Sequence, residues 1–311
     1  MTTRLGPLRR GVVAAAVAAG LLACVAGRAS AQADGRMRLF KYLMGTSMRV
    51  EVVGGDTALR QQAADEAFAA IAAVDRLMSS YRPDSEIRRA NIAAGAGPVS
   101  LSAPLFAVVA AGQRLAAASG GAFSLTPAWR DNGLLMLDLP TRSLRLTTPV
   151  TLSVDGLAKG FAAELAAGSL SRRGLSGTID TSGTQFMVGA PPGRTTWSVG
   201  IAQPLQRGRV LGAIDVAGGA VATVSAAAAP RDPRTGQVAT MSLSATVVSP
   251  DGAVADALSK AVFVLGPTDG LALLATYADT WGVVAYRGPN GTVSIAVSPG
   301  HTAAFHPRTP E

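Results

Sequence analysis

Frequent glycine divides much of this 311-residue chain into short apolar runs, which leaves room for few long strands. The chain contains 35 Gly and 18 Pro, and five apolar runs between residues 178 and 224 are separated by glycine-containing segments. Glycine and proline are typical of turns and of the ends of strands. The spacing therefore predicts a mixed fold with many turns. A share of 48% apolar and 15% charged residues favours a packed core over disorder.

Four segments show the features of helices, at about residues 58–78, 104–118, 158–170 and 252–263. In the first segment apolar residues recur at helical spacing, and Asp56 precedes it as a candidate N-cap. Ser102 is the candidate cap of the second segment. The sequence Gly266-Pro267 is expected to stop the last helix, because proline rarely continues one.

Short strands are expected between and beyond these helices. They are predicted at 39–53 with a break at Gly45, and at 134–139, 144–146, 150–154, 178–179, 186–188, 197–201, 210–216, 220–224, 242–248, 281–286 and 292–297. Because strands and helices do not alternate one for one, the predicted class is α+β, with mixed, largely antiparallel sheets packed with helices. We expect a single domain over residues 32–300, followed by a flexible tail over residues 301–311.

The first 31 residues have the pattern of an export signal. Three arginines precede an apolar stretch, residues 11–27, and small residues at 29–31 have cleavage spacing. The stretch is shorter than the roughly 20 residues of a membrane span. The mature protein is therefore expected in the periplasm. Two details stay open: Arg9-Arg10 fits a twin-arginine signal, and residues 21–24 resemble a lipoprotein site that would leave Cys24 lipidated and anchor the protein to the membrane.

Composition excludes several kinds of site. Cys24 is the only cysteine, and His301 and His306 in the tail are the only histidines. A core without these residues has no thiolate or imidazole chemistry, so catalysis must use carboxylates, Lys, Tyr or hydroxyl groups. The signal carries four of the 28 basic residues and no acid, which leaves 24 basic against 20 acidic residues. This mild excess, without a basic aromatic-rich run, speaks against nucleic-acid binding and suits an anionic small molecule.

Three segments in the first half of the chain carry candidate ligand-binding residues. Residues 43–46 place Met44 beside a strand-breaking glycine, where a ligand can approach the backbone closely. Residues 78–87 leave a helix and present Tyr81 at a turn, where the ring can stack on a flat ligand. Residues 120–127 follow a helix end and include Ala122, Phe123 and Ser124.

Two further segments carry charged candidates. Residues 152–161 run from a strand through Asp155 and Gly156 into a helix start, and Lys159 there adds a positive charge to a natural anion site. The last segment has two parts, a turn at 231–236 and a helix at 255–261. On that helix Asp256 and Lys260 are four residues apart and therefore point to one face.

In this order, the five segments resemble those of the FAD:protein FMN transferase family, also called the ApbE family, and they span about residues 42–266. The resemblance implies a single ApbE-like domain that takes FAD as its substrate and uses Mg²⁺. It implies that FAD is bound by Met44, Tyr81, Ala122, Phe123, Ser124, Asp155 and Lys159. It further implies that Gly156 and Asp256 hold the metal, and that Asp256 and Lys159 are the catalytic residues.

Four positions depart from the family's polar pattern. Ser124 and Ser153 stand where the family has Asp, Ala229 stands where it has His, and Lys260 replaces a Thr that ligates the metal. Asp155 lies two residues from the missing acid at Ser153. A protonated lysine has no lone pair to offer a metal. We therefore expect Lys260 to lie within ion-pair reach of Asp256 and to weaken or replace Mg²⁺ binding.

The resemblance implies a reaction in which a Thr or Ser hydroxyl of an acceptor protein attacks the phosphorus on the FMN side of FAD, and AMP leaves. Two alternatives remain open. The first is a flavin-binding protein that has lost transfer, and the second is hydrolysis of FAD to FMN and AMP with water as the nucleophile. The expected binding molecules are FAD and the acceptor protein, with membrane contact only through a lipid on Cys24.

Overall fold

A computed structural model describes residues 35–127 and 133–308 of the chain. The predicted export signal over residues 1–31, including Cys24, lies outside the described residues. The described strands are β1 Arg36–Leu43, β2 Thr46–Val53, β3 Val99–Ser100, β4 Leu135–Asp138, β5 Ser143–Leu146, β6 Ser176–Asp180, β7 Thr184–Val188, β8 Trp197–Ala202, β9 Val210–Val216, β10 Gly219–Ser225, β11 Ser244–Ser249, β12 Trp281–Arg287, β13 Val293–Val297 and β14 Phe305–Pro307. The α-helices are α1 Thr57–Met78, α2 Glu86–Ile92, α3 Ala103–Ala118, α4 Ala158–Ser171 and α5 Gly252–Leu274.

The helices begin where short polar side chains can satisfy the N–H groups of their first turns. The carboxylate of Asp56 accepts a hydrogen bond from Leu59 N at 2.8 Å, which confirms the predicted cap of α1. Asp251 caps α5 in the same way through Val254 N at 2.9 Å. Ser102 precedes α3, but its hydroxyl donates to Glu86 Oε2 at 2.6 Å instead of capping the helix.

An eight-stranded sheet in the order β1-β2-β6-β7-β10-β11-β12-β13 forms the centre of the fold, and all its pairs are antiparallel. Two three-stranded sheets, β14-β9-β8 and β3-β5-β4, accompany it. This arrangement confirms the predicted α+β class with largely antiparallel sheets.

The central sheet separates two apolar cores. Helices α1, α4 and α5 pack on one face and form the larger core with it. On the other face, the β14-β9-β8 sheet adds Trp197, Ile214 and Phe305 to a second core. Strand β10 serves both cores through its alternation, because Val221 faces the second core while Ala220 and Ala222 pack against α5.

Helices α4 and α5 cross with their first turns in backbone contact. A Cβ at Gly160 would overlap the carbonyl oxygen of Gly252, and a Cβ at Gly252 would overlap the carbonyl oxygen of Gly160. Only two glycines allow this approach. Although α5 is long and apolar enough to cross a membrane by length and composition, it packs against the sheet and has a break at Gly266.

Two predictions about the elements are wrong, and helix α2 was not predicted. Residues 150–154 are not a strand, because the Ser153 N–H bonds the carbonyl of Leu125 in a loop. The predicted stop at Gly266-Pro267 is confirmed, because Gly266 has a non-helical backbone with a φ of 81° and a ψ of −171°, and a further helical stretch then continues to Leu274. The predicted flexible tail is packed as far as Arg308, because β14 pairs with β9 and Phe305 is buried.

Candidate functional site

A cleft of about 430 Å³ opens at one end of the helical layer, beside the β1–β2 turn. It lies between that turn, the end of α1 and the start of α4. Its walls are formed by Met44, Gly45, Asp75, Met78, Ser79, Tyr81, Arg82, Asp155, Ala158 and Lys159. The cleft thus gathers four of the predicted ligand-binding residues: Met44, Tyr81, Asp155 and Lys159.

The β1–β2 turn forms one lip of the cleft. Met44 and Gly45 both have positive φ angles, 49° and 74°, as a tight hairpin turn that matches the strand twist requires. The Tyr42 hydroxyl donates to the Gly45 carbonyl at 2.8 Å and closes the turn. The predicted break at Gly45 is therefore a hairpin. A non-glycine residue such as Met44 is uncommon in this backbone region, and its side chain lines the cleft here.

The segment that follows α1 forms the opposite lip. Tyr81 is 92% exposed, so its ring is free to stack on a flat ligand. The neighbouring Ser80 hydroxyl donates to Asp155 Oδ2 at 3.2 Å and ties this segment to the loop before α4. Asp155 is thereby held at the cleft with its carboxylate exposed to solvent.

Lys159 projects from the first turn of α4 into the cleft wall. The N-cap position is Leu157, whose side chain has no atom that could accept a hydrogen bond. The Thr181 hydroxyl donates to the Lys159 carbonyl at 3.2 Å and joins this turn to the end of β6. A lysine at a helix start combines a full charge with the positive end of the helix dipole, which suits an anion.

The predicted residues of the third segment lie behind the cleft. Ala122 and Phe123 are only 2% and 5% exposed. The Phe123 ring packs against Gly156, whose missing Cβ would lie 2.6 Å from Phe123 Cε2. The Ser124 hydroxyl is 3.2 Å from that of Thr126. Residues 120–127 therefore support the loop before α4, and Ala122, Phe123 and Ser124 do not line the described walls of the cleft.

Asp256 and Lys260 form an ion pair one turn apart on α5. Lys260 Nζ lies 2.5 Å from Asp256 Oδ1 and also donates to the Asp256 carbonyl at 2.8 Å. The other carboxylate oxygen, Oδ2, accepts from the Gly160 N–H at 3.0 Å. Asp256 is only 3% exposed. The expected proximity of the two side chains is confirmed.

These contacts test whether the residues expected to hold Mg²⁺ fit that ion. Mg²⁺ needs oxygen ligands in near-octahedral geometry, yet an ammonium and an N–H group engage both Asp256 oxygens. Two unit charges at 4 Å interact by about 4 kcal/mol at an effective dielectric of 20, and a divalent ion doubles the repulsion from Lys260. Within residues 35–127 and 133–308, no group of three or more His, Cys, Asp or Glu side chains is placed to hold a metal. The arrangement at Gly156 and Asp256 does not fit Mg²⁺.

A second carboxylate makes the contact between the two helix starts reciprocal. Glu164 on α4 accepts from the Gly252 N–H at 2.8 Å, as Asp256 on α5 accepts from Gly160. Each helix therefore supplies an acceptor to the first turn of the other. Burial raises the pKa of the Glu164 carboxyl, and the nearby Asp251 raises it further, while the bond from Gly252 opposes the shift.

The turn at residues 231–236 stands apart from the described cleft walls. Arg234 binds both oxygens of Asp232, at 2.9 and 2.8 Å, and this bidentate bond lowers the pKa of the Asp232 carboxyl. The Asp232 carbonyl accepts from the Gly236 N–H at 2.7 Å. Asp232 thus shapes its own turn.

Sequence reasoning did not single out three polar residues of this region. Asp75 and Arg82 line the cleft, and Ser80 positions Asp155. Asp75 lies in the last turn of α1, four residues before Ser79. Because the end of this helix was predicted, that spacing could have placed Asp75 near the cleft. Arg82 also forms an ion pair with Asp84 at 2.9 Å.

Comparisons with known proteins agree on one family. The model of the ApbE family matches residues 44–130 and 129–284. A curated FAD:protein FMN transferase of Klebsiella pneumoniae is 26% identical over 269 residues, covering 72% of this chain and 77% of its own. Another of Treponema pallidum is 27% identical over 318 residues, with 83% and 88% covered.

A solved structure supports the same architecture. The flavin transferase ApbE from Vibrio cholerae has a TM-score of 0.74 to this chain at 20% identity. The match covers 86% of this chain and 99% of that protein. At this identity the likeness establishes the fold, while the matched segments contain all the described cleft walls.

Proposed function

The chain belongs to the ApbE family, and from that premise we propose that it is an FAD:protein FMN transferase. The observation that carries the proposal is the cleft, which combines an exposed aromatic ring at Tyr81 with Lys159 in the first turn of helix α4. FAD has a flat ring system that can stack on the Tyr81 ring, and a diphosphate that can bind near Lys159.

In the proposed complex the isoalloxazine ring stacks on Tyr81, and Met44 from the hairpin turn covers the same end of the cleft. The diphosphate lies near the start of α4, where Lys159 offsets its charge. Phe123 acts through packing, because its ring lies against Gly156 in the loop before α4, and Ala122 is buried beside it in the chain. Ser124 contacts Thr126 in its own segment.

The proposed reaction is an in-line displacement at phosphorus. The hydroxyl oxygen of a Thr or Ser in the acceptor protein forms a bond to the phosphorus on the FMN side, and the bond to the bridging oxygen breaks. AMP leaves with the bridging oxygen, and the exposed Asp155 carboxylate in the cleft accepts the hydroxyl proton. Because the Gly156 and Asp256 arrangement does not fit Mg²⁺, the protein's own cations supply the counter-charge in this scheme.

A second function has a specific observation in its favour. The Lys260–Asp256 ion pair stands where the family resemblance implies a catalytic metal. A chain that keeps the cleft and lacks the metal would bind flavin without transferring it. Hydrolysis of FAD uses the same cleft and differs only in having water as the nucleophile.

One experiment separates the three outcomes. The protein would be incubated with FAD and with exported proteins of its source cells, and covalent flavin would be detected by in-gel fluorescence. Mass spectrometry of a fluorescent band should give the mass of one FMN less water on a Thr or Ser. Free FMN and AMP without a labelled protein would instead indicate hydrolysis. FAD that is bound but unchanged would indicate a flavin-binding protein without transfer. A Lys159→Ala variant serves as the control that labelling depends on the cleft.

We also propose that the protein works outside the cytoplasm, free in the periplasm or held there by a lipid on Cys24. The support is the basic, apolar and small-residue pattern of residues 1–31. Its acceptor would then be an exported protein or the exported part of a membrane protein.

A further inference from the structure

We propose that the Lys260 ammonium is a built-in cation that replaces a divalent metal, so that this chain binds FAD without one. The inference rests on the proposed function for the identity of its ligand. Its starting observation is a disagreement: the family resemblance implies a metal at Asp256, while the structure has Lys260 Nζ at 2.5 Å from that carboxylate.

The ion pair is held firmly in place. Asp256 is 3% exposed, and its second oxygen is bonded to the first turn of α4 through Gly160. Lys260 bonds both the carboxylate and the carbonyl of the same residue. Displacing the ammonium by a metal ion would leave a lysine to be accommodated nearby, beside a divalent charge.

The lysine also retains capacity for a ligand. An ammonium group has three donors, and two of them are engaged by Asp256. The Lys260 side chain is 25% exposed, against 4% for that of Asp256. The third donor is not engaged by Asp256, and the exposed part of the side chain can be reached by water or by an anionic oxygen.

Lys260 reaches the loop that forms the cleft. Its Cδ would lie 3.6 Å from a Cβ at Gly156, the residue that follows Asp155 of the cleft wall. Lys159 lies one turn further, in the wall itself. Lys260 thus lies beside the loop before α4 and neutralises Asp256, so a diphosphate near Lys159 meets no uncompensated charge from Asp256.

The charge balance predicts that one variant, Lys260→Thr, needs a divalent metal to bind FAD although the wild type does not. The Lys260–Asp256 pair is neutral, so the wild-type site needs no added cation to accept a diphosphate. In Lys260→Thr the buried Asp256 carboxylate would be uncompensated, and a hydroxyl would take the lysine's place. That site repels a diphosphate until a divalent ion binds.

The first test measures metal binding without FAD, using Mn²⁺ and electron paramagnetic resonance. Wild type should bind no Mn²⁺ at this site, whereas Lys260→Thr should bind it, and the double variant Lys260→Thr/Asp256→Asn should lose it again. Equal Mn²⁺ affinity of wild type and Lys260→Thr would overturn the inference, whatever the protein does with FAD.

The second test titrates FAD by flavin fluorescence, in EDTA and in Mg²⁺. Wild-type affinity should change less than about twofold, while Lys260→Thr should bind about tenfold more weakly in EDTA and recover in Mg²⁺, as expected for loss of one charged contact. Lys41→Thr is the matched control, because Lys41 pairs with Asp65 outside the described cleft walls. Wild-type binding that depends on Mg²⁺ overturns the inference.

Failure of the proposed function gives a different pattern. Metal-independent FAD binding without transfer or hydrolysis would overturn the proposed transferase and leave the inference standing. If Lys260→Thr does not fold, Lys260→Met/Asp256→Asn removes both charges and keeps an amide acceptor for Gly160. This variant should not bind Mn²⁺, and its FAD affinity should not change when Mg²⁺ is added. An increase of FAD affinity in Mg²⁺ would contradict the role of the pair.

Discussion

Asp256 on α5 accepts a hydrogen bond from the Gly160 N–H at the start of α4, 96 residues earlier in the chain. This bond joins the helix that lines the cleft to the helix that carries the Lys260 ion pair. The carboxylate therefore belongs to the framework of the candidate site, and its contribution to stability can be measured separately from any contribution to chemistry.

Replacing Asp256 by Ala should destabilise the protein by an amount near the lower end of the roughly 3–5 kcal/mol range for breaking a buried ion pair. The lower end is expected because the Lys260 side chain is a quarter exposed and water reaches it. Urea unfolding followed by circular dichroism measures the change. Asp65→Ala breaks the exposed pair with Lys41 and should cost no more than about 1 kcal/mol. Equal losses in the two variants would contradict a structural role for Asp256.

Lys159→Ala should weaken FAD binding by about ten- to a hundredfold, the loss expected for a hydrogen bond to a charged group. The physical reason is the position of Lys159 at the start of α4 within the cleft wall. A flavin fluorescence titration measures it, with Lys41→Ala as the control lysine. If Lys159→Ala binds FAD as well as wild type, the diphosphate lies elsewhere.

Gly160→Ala should destabilise the protein by several kcal/mol, because the new Cβ would overlap the backbone of Gly252, which has no flexible side chain to move. Gly168→Ala on the same helix is the matched control. Its Cβ would meet only the end of the Arg172 side chain at 3.0 Å, and helix propensity favours alanine by about 1 kcal/mol. The midpoint of thermal unfolding should therefore fall in Gly160→Ala and rise in Gly168→Ala. A tolerated alanine at position 160 would mean that the two helices separate easily.

Glu164 should make the stability depend on pH. Its folded pKa is raised by burial, so the folded state holds this proton more tightly than the unfolded state. The stabilisation is present below the ordinary glutamate pKa of about 4.3 and is lost as the pH rises through the raised folded value. Glu164→Gln keeps an acceptor for Gly252 and removes the titration. Urea midpoints of wild type and variant should diverge as the pH rises from about 4 to 7, with the variant gaining. Parallel profiles would show that Glu164 stays solvated.

Processing of the N-terminus tests the proposed location. The exported protein should begin at Gln32, or at a lipidated Cys24 if the lipoprotein pattern operates. Intact-mass analysis of protein from the periplasmic and membrane fractions distinguishes the two starts. A Cys24→Ala variant should release the protein from membranes only in the second case. Full-length protein with Met1, found solely in the cytoplasm, would contradict both.

Local chemistry made much of the fold predictable. The apolar spacing and Asp56 predicted α1 almost to the residue, and the strands at 210–216 and 220–224 were placed correctly within a residue. Strand β14 could not be predicted, because its three residues show no strand pattern of their own and are held by pairing with β9 and by the burial of Phe305.

The candidate site was only partly predictable for the same reason. Met44, Tyr81 and Lys159 stand at breaks between elements, where the sequence itself indicates a turn or a helix start. Ala122 and Phe123 belong to the same set by resemblance, but their depth depends on how they pack against Gly156. The Glu164–Gly252 bond joins residues 88 apart and follows only from how α4 and α5 cross.

The two reciprocal hydrogen bonds between α4 and α5, from Gly160 to Asp256 and from Gly252 to Glu164, bear on when the cleft can form. Neither helix start is complete until the chain has traversed six strands, from β6 to β11, and brought the second helix back to the first. Contacts so distant in sequence carry a loop-closure cost, and we expect them to slow folding. We therefore expect the wall that carries Lys159 to form and unfold together with the rest of the domain. A ligand held there should raise the unfolding midpoint of the whole domain in one step.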